Sequence, residues 1–223
     1  MSHDPLMSPR ERFEGYYAAP QVPWDIGRPQ RVFLEAEQAI TRLPNGRRCR
    51  VLDIGCGTGD LSLWLAERGC TVTGIDFLFW PIQRAKQKAS DRGLTVNFLQ
   101  MDALAIGQIP ERFDSVTDCG LFHVFDDSSR AAYVAALSNL LEPGAHLFLL
   151  CFSNAEPGSH GPRRVSQGEL RATFAEGWQI EQIQTARFES VVGIPGAEFT
   201  QGGAMAWFAS VRRTLSVDGS QDL

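Results

Sequence analysis

Short apolar runs alternate with segments of helical periodicity along most of this chain, and this alternation restricts the possible folds more than any other feature. The runs typical of buried strands are Cys49–Ile54, Cys70–Ile75, Leu94–Leu99, Phe113–Cys119 and Ala145–Cys151. The helical segments between them are Leu61–Arg68, Pro81–Arg92 and Ser128–Leu141. Strands that alternate with helices pair in parallel through right-handed crossovers. We therefore predict an α/β fold, a Rossmann-like sheet with helices on both faces.

The end of the chain follows a different pattern. A short helix is predicted over Gln167–Phe174, followed by strands over Trp178–Gln184 and Ala204–Val211. No helical pattern separates these two strands, so we expect the last strand to run antiparallel in a mostly parallel sheet. The connecting stretch 186–203 contains Gly and Pro, is long for a hairpin, and is a candidate functional loop.

The chain divides into three predicted parts. Residues 1–45 precede the first strand and are expected to contain two helices. Residues 46–213 form the α/β domain, and residues 214–223 form a polar, flexible tail.

Composition excludes several classes of protein. With 26 acidic and 21 basic residues the net charge is −5, which lacks the basic footprint of a nucleic-acid binder. No apolar run reaches the roughly 18 residues of a membrane span, and the polar start MSHDPLMSPR is unlike a secretory signal, so we expect a cytoplasmic protein with no membrane partner. Five cysteines without a CxxC pair indicate reduced thiols, and the four histidines lack metal-site spacing, so we expect no metal.

A glycine-rich turn and several acidic residues follow the first three strands. Asp53 ends a strand and is followed by G-x-G-x-G, which allows a ligand to approach the backbone at the start of a helix. Asp76 ends the second strand, where a carboxylate can accept hydrogen bonds from a ribose diol, and the pair Asp102–Ala103 follows the third strand. Each acid alone is more typical of a helix cap or a loop. Together they indicate a nucleoside-binding edge, because ligands of such sheets bind at the carboxyl ends of the strands.

The segments VLDIGCGTGDLSLWLAERG, GIDF and Asp102–Ala103 resemble the class I S-adenosylmethionine-dependent methyltransferases over about residues 22–184. The resemblance implies a seven-stranded sheet with S-adenosylmethionine over the first strands, and S-adenosylhomocysteine as the product. The implied donor-binding residues are Asp53 and Gly55 toward the methionine end, Asp76 at the ribose, Phe77 on the adenine face, and Asp102 and Ala103 at the adenine edge. Gly57 of the glycine-rich turn and Cys119, where related proteins often have Ser, complete the set.

The string PWDIGRPQ at residues 23–30 is similar to the N-terminal segment of thiol-, thiopurine- and tellurite-type methyltransferases, which folds over the donor as a lid. That similarity implies that Trp24 packs against the sulfonium by cation–π attraction and that Arg28 holds the methionine carboxylate. The alternative is that Trp24 is a core anchor and Arg28 a surface residue.

Three residues are candidates for the chemistry. His123 follows the fourth strand and is suited to accept a proton near neutral pH, although it is equally typical of a structural histidine. Tyr16 and Tyr17 lie in the N-terminal segment, where they either orient or deprotonate an acceptor, or simply pack. An apolar acceptor pocket is expected from four stretches: Phe13–Tyr17, Phe122–Phe125, Phe152–Arg164 and Phe188–Phe199.

The stretch DCGLFHVFDD at residues 118–127, with LFLLCFSN later in the chain, resembles bacterial methyltransferases of small thiols and phenols, including dithiol-modifying resistance enzymes. The leading hypothesis is therefore methyl transfer to a thiol or dithiol of a hydrophobic small molecule. O- or N-methylation of a phenol, quinol or heterocycle is the alternative, and a non-catalytic S-adenosylmethionine-binding protein is a third possibility. A nicotinamide oxidoreductase would more typically show G-x-G-x-x-G. The expected assembly is a monomer or homodimer.

Overall fold

The computed structural model describes residues 8–43, 46–194 and 199–215. Seven strands form one sheet: β1 (Arg50–Ile54), β2 (Thr71–Asp76), β3 (Asn97–Gln100), β4 (Phe113–Cys119), β5 (Leu141–Phe152), β6 (Trp178–Phe188) and β7 (Ala204–Arg213). Their order across the sheet is β3-β2-β1-β4-β5-β7-β6. Strands β1 to β5 pair in parallel, whereas β7 pairs antiparallel with both β5 and β6. The predicted fold class and the antiparallel last strand are confirmed.

The helices cover both faces of the sheet and the edge above its first strands. They are α1 (Pro9–Ala18), α2 (Arg31–Glu35), α3 (Glu37–Thr41), α4 (Asp60–Glu67), α5 (Phe79–Asp91), α6 (Asp127–Leu140) and α7 (Gln167–Thr173), with short 3-10 helices at Ala103–Gln108 and Phe122–Val124. The described part of the N-terminal segment thus contains three helices, where the sequence predicted two.

Several element boundaries differ from the prediction. Strand β5 begins at Leu141 and not at Ala145, because Leu141 pairs with Phe113 of β4. The third strand begins at Asn97 and not at Leu94, because the Leu94 N–H donates to the Ala89 carbonyl and closes the end of α5. Strand β6 extends to Phe188, which pairs with Ala204, so the candidate loop is shorter than 186–203. Residues 195–198 of that loop lie outside the described residues.

The core lies on the two faces of the sheet because neighbouring residues of a strand point to opposite sides. Val51 packs with Phe33 and Trp64 in one apolar cluster, whereas Leu52 packs with Tyr133 in another. The parallel strands between them are buried on both faces, as their continuous apolar sequence predicts.

Some residues of the three predicted parts of the chain are not among those that the structure describes. Residues 44 and 45, at the boundary between the N-terminal segment and the α/β domain, and residues 216–223 of the predicted tail lie outside the described residues. None of the helices within the described ranges is both long and apolar enough to cross a lipid bilayer.

Candidate active site

The turn between β1 and α4 is the glycine loop, residues 55–59. Gly55, Gly57 and Gly59 have φ angles of +70°, +53° and +85°, in a region that residues with a Cβ rarely adopt. A Cβ at Gly59 would also lie only 2.8 Å from the Cβ of Ala85. Glycine therefore allows α4 to begin close to the sheet, and the first turn of a helix has unpaired N–H groups that suit a polar ligand.

Asp76 lies beside the glycine loop at the end of β2. Its Oδ2 accepts the Gly57 N–H at 3.1 Å, and its Oδ1 accepts the Leu78 N–H at 2.9 Å. Burial raises the pKa of Asp76 to about 6. A carboxylate fixed by two main-chain donors retains lone pairs, and this arrangement is suited to two ribose hydroxyls.

Asp53 has a different environment from the one that the resemblance implied. Its side chain is buried, with Oδ2 accepting from Ser62 Oγ at 2.6 Å and Oδ1 from Thr117 Oγ1 at 2.8 Å. Burial also raises its pKa. Because each oxygen bonds an element of the fold, Asp53 joins β1 to α4 and β4. These bonds position the glycine loop, and the implied contact of Asp53 with the methionine end of the donor stays a prediction.

The other predicted donor-binding residues lie along the same edge of the sheet. Asp102 caps the 3-10 helix that follows β3, with Oδ1 accepting the Leu104 N–H at 2.9 Å, and Ala103 is buried beside it. Phe77 follows Asp76, and Cys119 ends β4, where burial raises the pKa of its thiol. The structure therefore brings the predicted residues together at the carboxyl ends of β1 to β4.

Helix α1 covers the glycine loop with aromatic side chains. A Cβ at Gly57 would lie 3.1 Å from Tyr17 Oη, which accepts a hydrogen bond from Trp24 Nε1 at 3.2 Å. The Trp24 ring is 5.1 Å from the Tyr16 ring and 5.5 Å from the Phe13 ring, centroid to centroid, in edge contacts. Burial, with the nearby Asp76 carboxylate, raises the pKa of Tyr17. Tyr17 thus remains protonated at neutral pH and is suited to donate a hydrogen bond rather than to accept a proton.

Asp25, inside the PWDIGRPQ string, ties that string to the glycine loop. Its Oδ1 accepts from Thr58 Oγ1 at 3.0 Å. Lys88 Nζ lies 2.7 Å from the same Thr58 oxygen and 2.9 Å from Asp60 Oδ1. No local sequence pattern indicates this tether, because the string itself points to Trp24 and Arg28, and Lys88 lies on a helix far away in the chain.

The other end of the string is held by the segment that follows β6. Arg28 makes a two-pronged ion pair with Glu189, with N···O distances of 3.0 and 2.8 Å. The Gln30 amide bonds both the N–H and the carbonyl of Glu189, at 2.7 and 2.9 Å, and the Val191 N–H donates to the Pro23 carbonyl at 2.8 Å. Arg28, the predicted partner of the methionine carboxylate, thus bonds a carboxylate of the protein itself.

His123 is buried, and its surroundings disfavour the charged ring. Its Nδ1 accepts the Phe152 N–H at 3.1 Å, so the neutral ring carries its proton on Nε2. Burial, with the positive charges of Arg130 and Arg164, lowers the pKa of His123 to about 3. This geometry favours the structural alternative, although the partner is β5 and not the start of α6.

Asp118 holds the turn that carries His123, and the sequence analysis did not identify this role. Its Oδ1 accepts the N–H groups of Leu121 and Phe122 at 2.9 and 3.2 Å, and its Oδ2 accepts from Tyr133 Oη at 2.9 Å. Burial raises the pKa of Asp118 to about 6. The available sequence signal was an acid at the end of an apolar strand. An acid that is buried there needs several hydrogen-bond donors around it.

A cavity of about 580 Å³ opens between α1 and the start of α5. Its lining consists of Arg10, Glu14, Tyr17, Ala18, Leu78, Phe79 and Trp80. Only Glu14 and Tyr17 belong to the stretches predicted to form the acceptor pocket. Phe122, which begins another of these stretches, is fully buried in the core cluster that contains Tyr133 of α6. Within the described ranges, no cluster of three or more His, Cys, Asp or Glu side chains is arranged to hold a metal ion.

Comparison with known proteins identifies the family of this chain. Residues 51–144 match a family model described as a methyltransferase domain. A protein of Mycobacteroides abscessus named 2-heptyl-1-hydroxyquinolin-4(1H)-one methyltransferase is 35% identical over 198 residues, covering 87% of this chain and 82% of that protein. This chain belongs to the S-adenosylmethionine-dependent methyltransferases. It is an enzyme of that class, with S-adenosylmethionine as methyl donor and a small molecule as acceptor.

Solved structures extend the comparison of this methyltransferase. One, described as "Conversion of a Disulfide Bond into a Thioacetal Group during Echinomycin Biosynthesis", has a TM-score of 0.78 and 34% identity, and the match covers 92% of each chain. The 1,6-didemethyltoxoflavin-N1-methyltransferase of Burkholderia thailandensis has a TM-score of 0.66 and 22% identity, covering 96% of this chain and 94% of that one, and supports the fold.

Proposed function

We propose that this methyltransferase acts on a hydrophobic small molecule whose acceptor atom ionises without help from a protein base. A thiol is the first candidate and an acidic hydroxyl on an aromatic heterocycle is the second. The observation that carries this proposal is the environment of His123, which is buried, bonded at Nδ1 to the Phe152 N–H, and lowered in pKa to about 3.

A residue in that state is a poor general base. At neutral pH the ring is already neutral, but its accepting nitrogen is occupied and its other nitrogen carries a proton. Tyr17, with its raised pKa, is no better as a proton acceptor. Thiols have pKa values near 8.5 and therefore supply a useful thiolate fraction at neutral pH, whereas a phenol near 10 supplies much less.

Without a strong base, the chain contributes mainly by positioning. S-adenosylmethionine supplies an activated methyl group when bound, and alignment of nucleophile, methyl and leaving sulfur contributes on the order of 7–11 kcal/mol. We assign Asp76 to the ribose, Asp102 and Ala103 to the adenine edge, and Phe77 to the adenine face. Trp24 and Tyr17 cover the glycine loop, whose N–H groups and left-handed geometry suit the donor.

Relatives support both kinds of acceptor. The structure related to echinomycin biosynthesis concerns sulfur chemistry by its description, which favours a thiol. The named acceptor of the Mycobacteroides abscessus relative has a hydroxyl on a ring nitrogen, which favours the second candidate. A cytoplasmic location, expected from the sequence, fits a small-molecule acceptor and belongs to the same proposal.

A methyl-transfer assay tests the proposal. Purified protein receives S-adenosylmethionine with an aromatic thiol, a dithiol, a 1-hydroxyquinolin-4-one, a phenol or a quinol, and S-adenosylhomocysteine and methylated product are measured by mass. We expect kcat/KM to rise with pH according to the acceptor's own pKa, with the thiol and the hydroxyquinolone exceeding the phenol. If no acceptor is methylated although the donor binds, the proposed acceptor class is wrong.

The variant His123→Asn separates positioning from base catalysis. The Asn carbonyl can accept the Phe152 N–H, so we expect kcat within about threefold of the parent and an unchanged pH profile. His146→Asn is the matched control, because His146 lies on β5 near the surface and its Nε2 bonds Glu181. Loss of turnover in His123→Asn alone, together with loss of a rate inflection near the pKa of a histidine, would identify a general base.

A further inference from the structure

Two cysteines meet at the end of the sheet opposite the candidate active site. Cys49 directly precedes β1 and Cys70 directly precedes β2, whereas the glycine loop lies at the carboxyl ends of these strands. The two cysteines border a small cavity of about 270 Å³, whose lining also contains Arg47, Arg48 and Arg68. The mechanism of methyl transfer uses neither thiol.

The pairing of the two strands brings the thiols together. Arg50 pairs with Thr71 in the parallel ladder, and the Thr71 N–H donates to the Cys49 carbonyl at 2.9 Å, so Cys49 lies opposite Cys70. Paired strands lie about 4.8 Å apart, which falls inside the range of Cα separations found in disulfides. Both residues belong to the same apolar cluster and border the same cavity, so their side chains lie on the same face of the sheet.

The two sulfurs differ in their surroundings. The neighbouring Cys49 thiol, together with the Arg68 guanidinium, lowers the pKa of Cys70 against the opposing effects of burial and of Glu37. Two contacts hold Arg68 in place. Its Nε lies 2.9 Å from Glu37 Oε2, and its guanidinium carbon lies 3.7 Å from the centre of the Trp64 ring. The neighbouring Cys70 and burial instead raise the pKa of Cys49, whose thiol donates to the Ile40 carbonyl oxygen at 3.1 Å. Cys70 is thus the better nucleophile and Cys49 the adjacent resolving thiol.

We propose that Cys49 and Cys70 form a peroxide-oxidisable thiol pair that closes to a disulfide in the folded protein. The Cys70 thiolate attacks one oxygen of a small hydroperoxide, which breaks the O–O bond, leaves a sulfenic acid on Cys70 and releases an alcohol or, from hydrogen peroxide, water. The Cys49 thiol then displaces water from that sulfenic acid and forms the S–S bond. Two thiols lose two electrons and two protons in total, and the peroxide takes up both.

Size and burial favour a small oxidant. Cys49 is 2% exposed and Cys70 is 8% exposed, so bulky disulfide reagents are excluded from direct attack on either sulfur. Hydrogen peroxide, with two oxygen atoms, fits the cavity that both sulfurs border. The pair is distinct in this respect from Cys151, which is fully buried in the central strand β5.

The test is a covalent map of the reduced, folded chain after treatment with hydrogen peroxide. Remaining thiols are alkylated, and a non-reducing digest is read by mass spectrometry while circular dichroism verifies that the chain stays folded. We expect the peptides carrying Cys49 and Cys70 to become linked, lighter by two hydrogen atoms, and to separate again with dithiothreitol. Oxidation of Cys56 or Cys119 before this pair, or a link that forms only in unfolded protein, would overturn the proposal.

Two variants sharpen the assignment of roles. Cys49→Ser removes the resolving thiol, so Cys70 should accumulate a sulfenic acid that dimedone traps, whereas Cys70→Ser should slow oxidation of Cys49 by at least about tenfold. Cys151→Ala is the matched control and should leave the link and its rate unchanged. Equal dimedone labelling of parent and Cys49→Ser would show that Cys49 does not resolve Cys70. These readouts are covalent masses and do not depend on the acceptor of the methyl group.

Discussion

The two sides of the candidate site are built in different ways. The glycine-loop side comes from Asp53 through Asp76, a single β-α-β unit, and its contacts are buried hydrogen bonds and close packing. The lid side joins residues far apart in the chain: Arg28 and Glu189 are separated by 161 positions and Gln30 and Glu189 by 159. The Arg28 side chain is 52% exposed and that of Glu189 is 26% exposed.

This difference indicates which side can rearrange at low cost. An ion pair that is partly exposed is worth about 0–1 kcal/mol, so exchanging one carboxylate partner of Arg28 for another costs little. Moving the hydrogen-bond donors of a buried acid such as Asp53 costs far more free energy, because the acid would be left buried without partners. We infer that the glycine loop is a fixed platform for the donor and that the lid closes over it through replaceable contacts.

The largest expected effect is a loss of stability on the glycine-loop side, which is the fixed side of the site. Gly59→Ala introduces a Cβ that would lie 2.8 Å from both Ala85 Cβ and Phe98 Cζ, at a φ angle of +85°. Overpacking and the left-handed backbone together should reduce the free energy of unfolding by about 3–5 kcal/mol. Urea denaturation measures this loss.

Gly158→Ala is the matched control for that variant. Its φ angle is +71°, but among the described residues no atom beyond its two chain neighbours lies within 4 Å of an added Cβ, so only the backbone cost of about 1–2 kcal/mol is expected. If the two variants lose the same stability, the close packing at the glycine loop is not the reason for glycine there.

A second experiment on the fixed side targets Asp76. Asp76→Ala removes the acceptor of the Gly57 and Leu78 N–H groups and the proposed partner of the ribose. Loss of charged hydrogen bonds worth about 1.5–3 kcal/mol each should weaken S-adenosylmethionine binding about a hundredfold. Isothermal titration calorimetry measures the affinity. Asp91→Ala, an exposed acid at the end of α5, should bind like the parent, and equal affinities of all three proteins would remove Asp76 from the donor site.

The fixed side is also the side that the sequence predicted well. The apolar runs, the glycine spacing and the acids at strand ends are local patterns, and the fold places them together whenever the strands pair in parallel. Asp76, Asp102 and Cys119 accordingly lie at the predicted edge. The exception is Asp53, whose position was predicted correctly, while its bonds to Ser62 and Thr117 depend on packing that the pattern does not show.

The lid side was predicted less well because its partners are distant in sequence. No local pattern indicates that Asp25 bonds Thr58, or that Arg28 bonds Glu189. The same reason applies to His123, because its proton affinity depends on burial and on a main-chain N–H from β5. A histidine at a strand end is compatible with either role until its neighbours are known.

Two substitutions with opposite expected effects on donor affinity test whether Arg28 exchanges the Glu189 carboxylate for that of the donor. If Arg28 leaves Glu189 to hold the methionine carboxylate, Arg28→Lys should weaken donor binding about tenfold, because lysine lacks the two-pronged geometry. Glu189→Gln removes a competing charge and should strengthen donor binding about two- to fivefold, measured by the same calorimetry. Weaker binding in both variants would instead show that the ion pair simply holds the lid in place.

Donor binding should also depend on pH. Burial raises the pKa of Asp76 from the ordinary value of 3.8 to about 6, so the carboxylate is largely protonated near pH 5 and largely ionised above pH 7. The ionised form is the better acceptor for ribose hydroxyls, and we expect donor affinity to rise about fivefold across this window. Asp76→Asn should bind more weakly at every pH and show no such rise.

Stability of the donor-free protein should change in the opposite direction. A raised pKa means that the folded state binds the proton more tightly than the unfolded chain, so this stabilisation is full below pH 3.8 and is lost as pH rises through about 6. Asp118, with its pKa also raised to about 6, contributes with the same sign. We therefore expect donor affinity to rise with pH while the stability of the donor-free protein falls. This combination would identify Asp76 as a group that the donor-free fold keeps protonated and that donor binding favours in its charged form. If affinity and stability rise together, the pH effect comes from other groups.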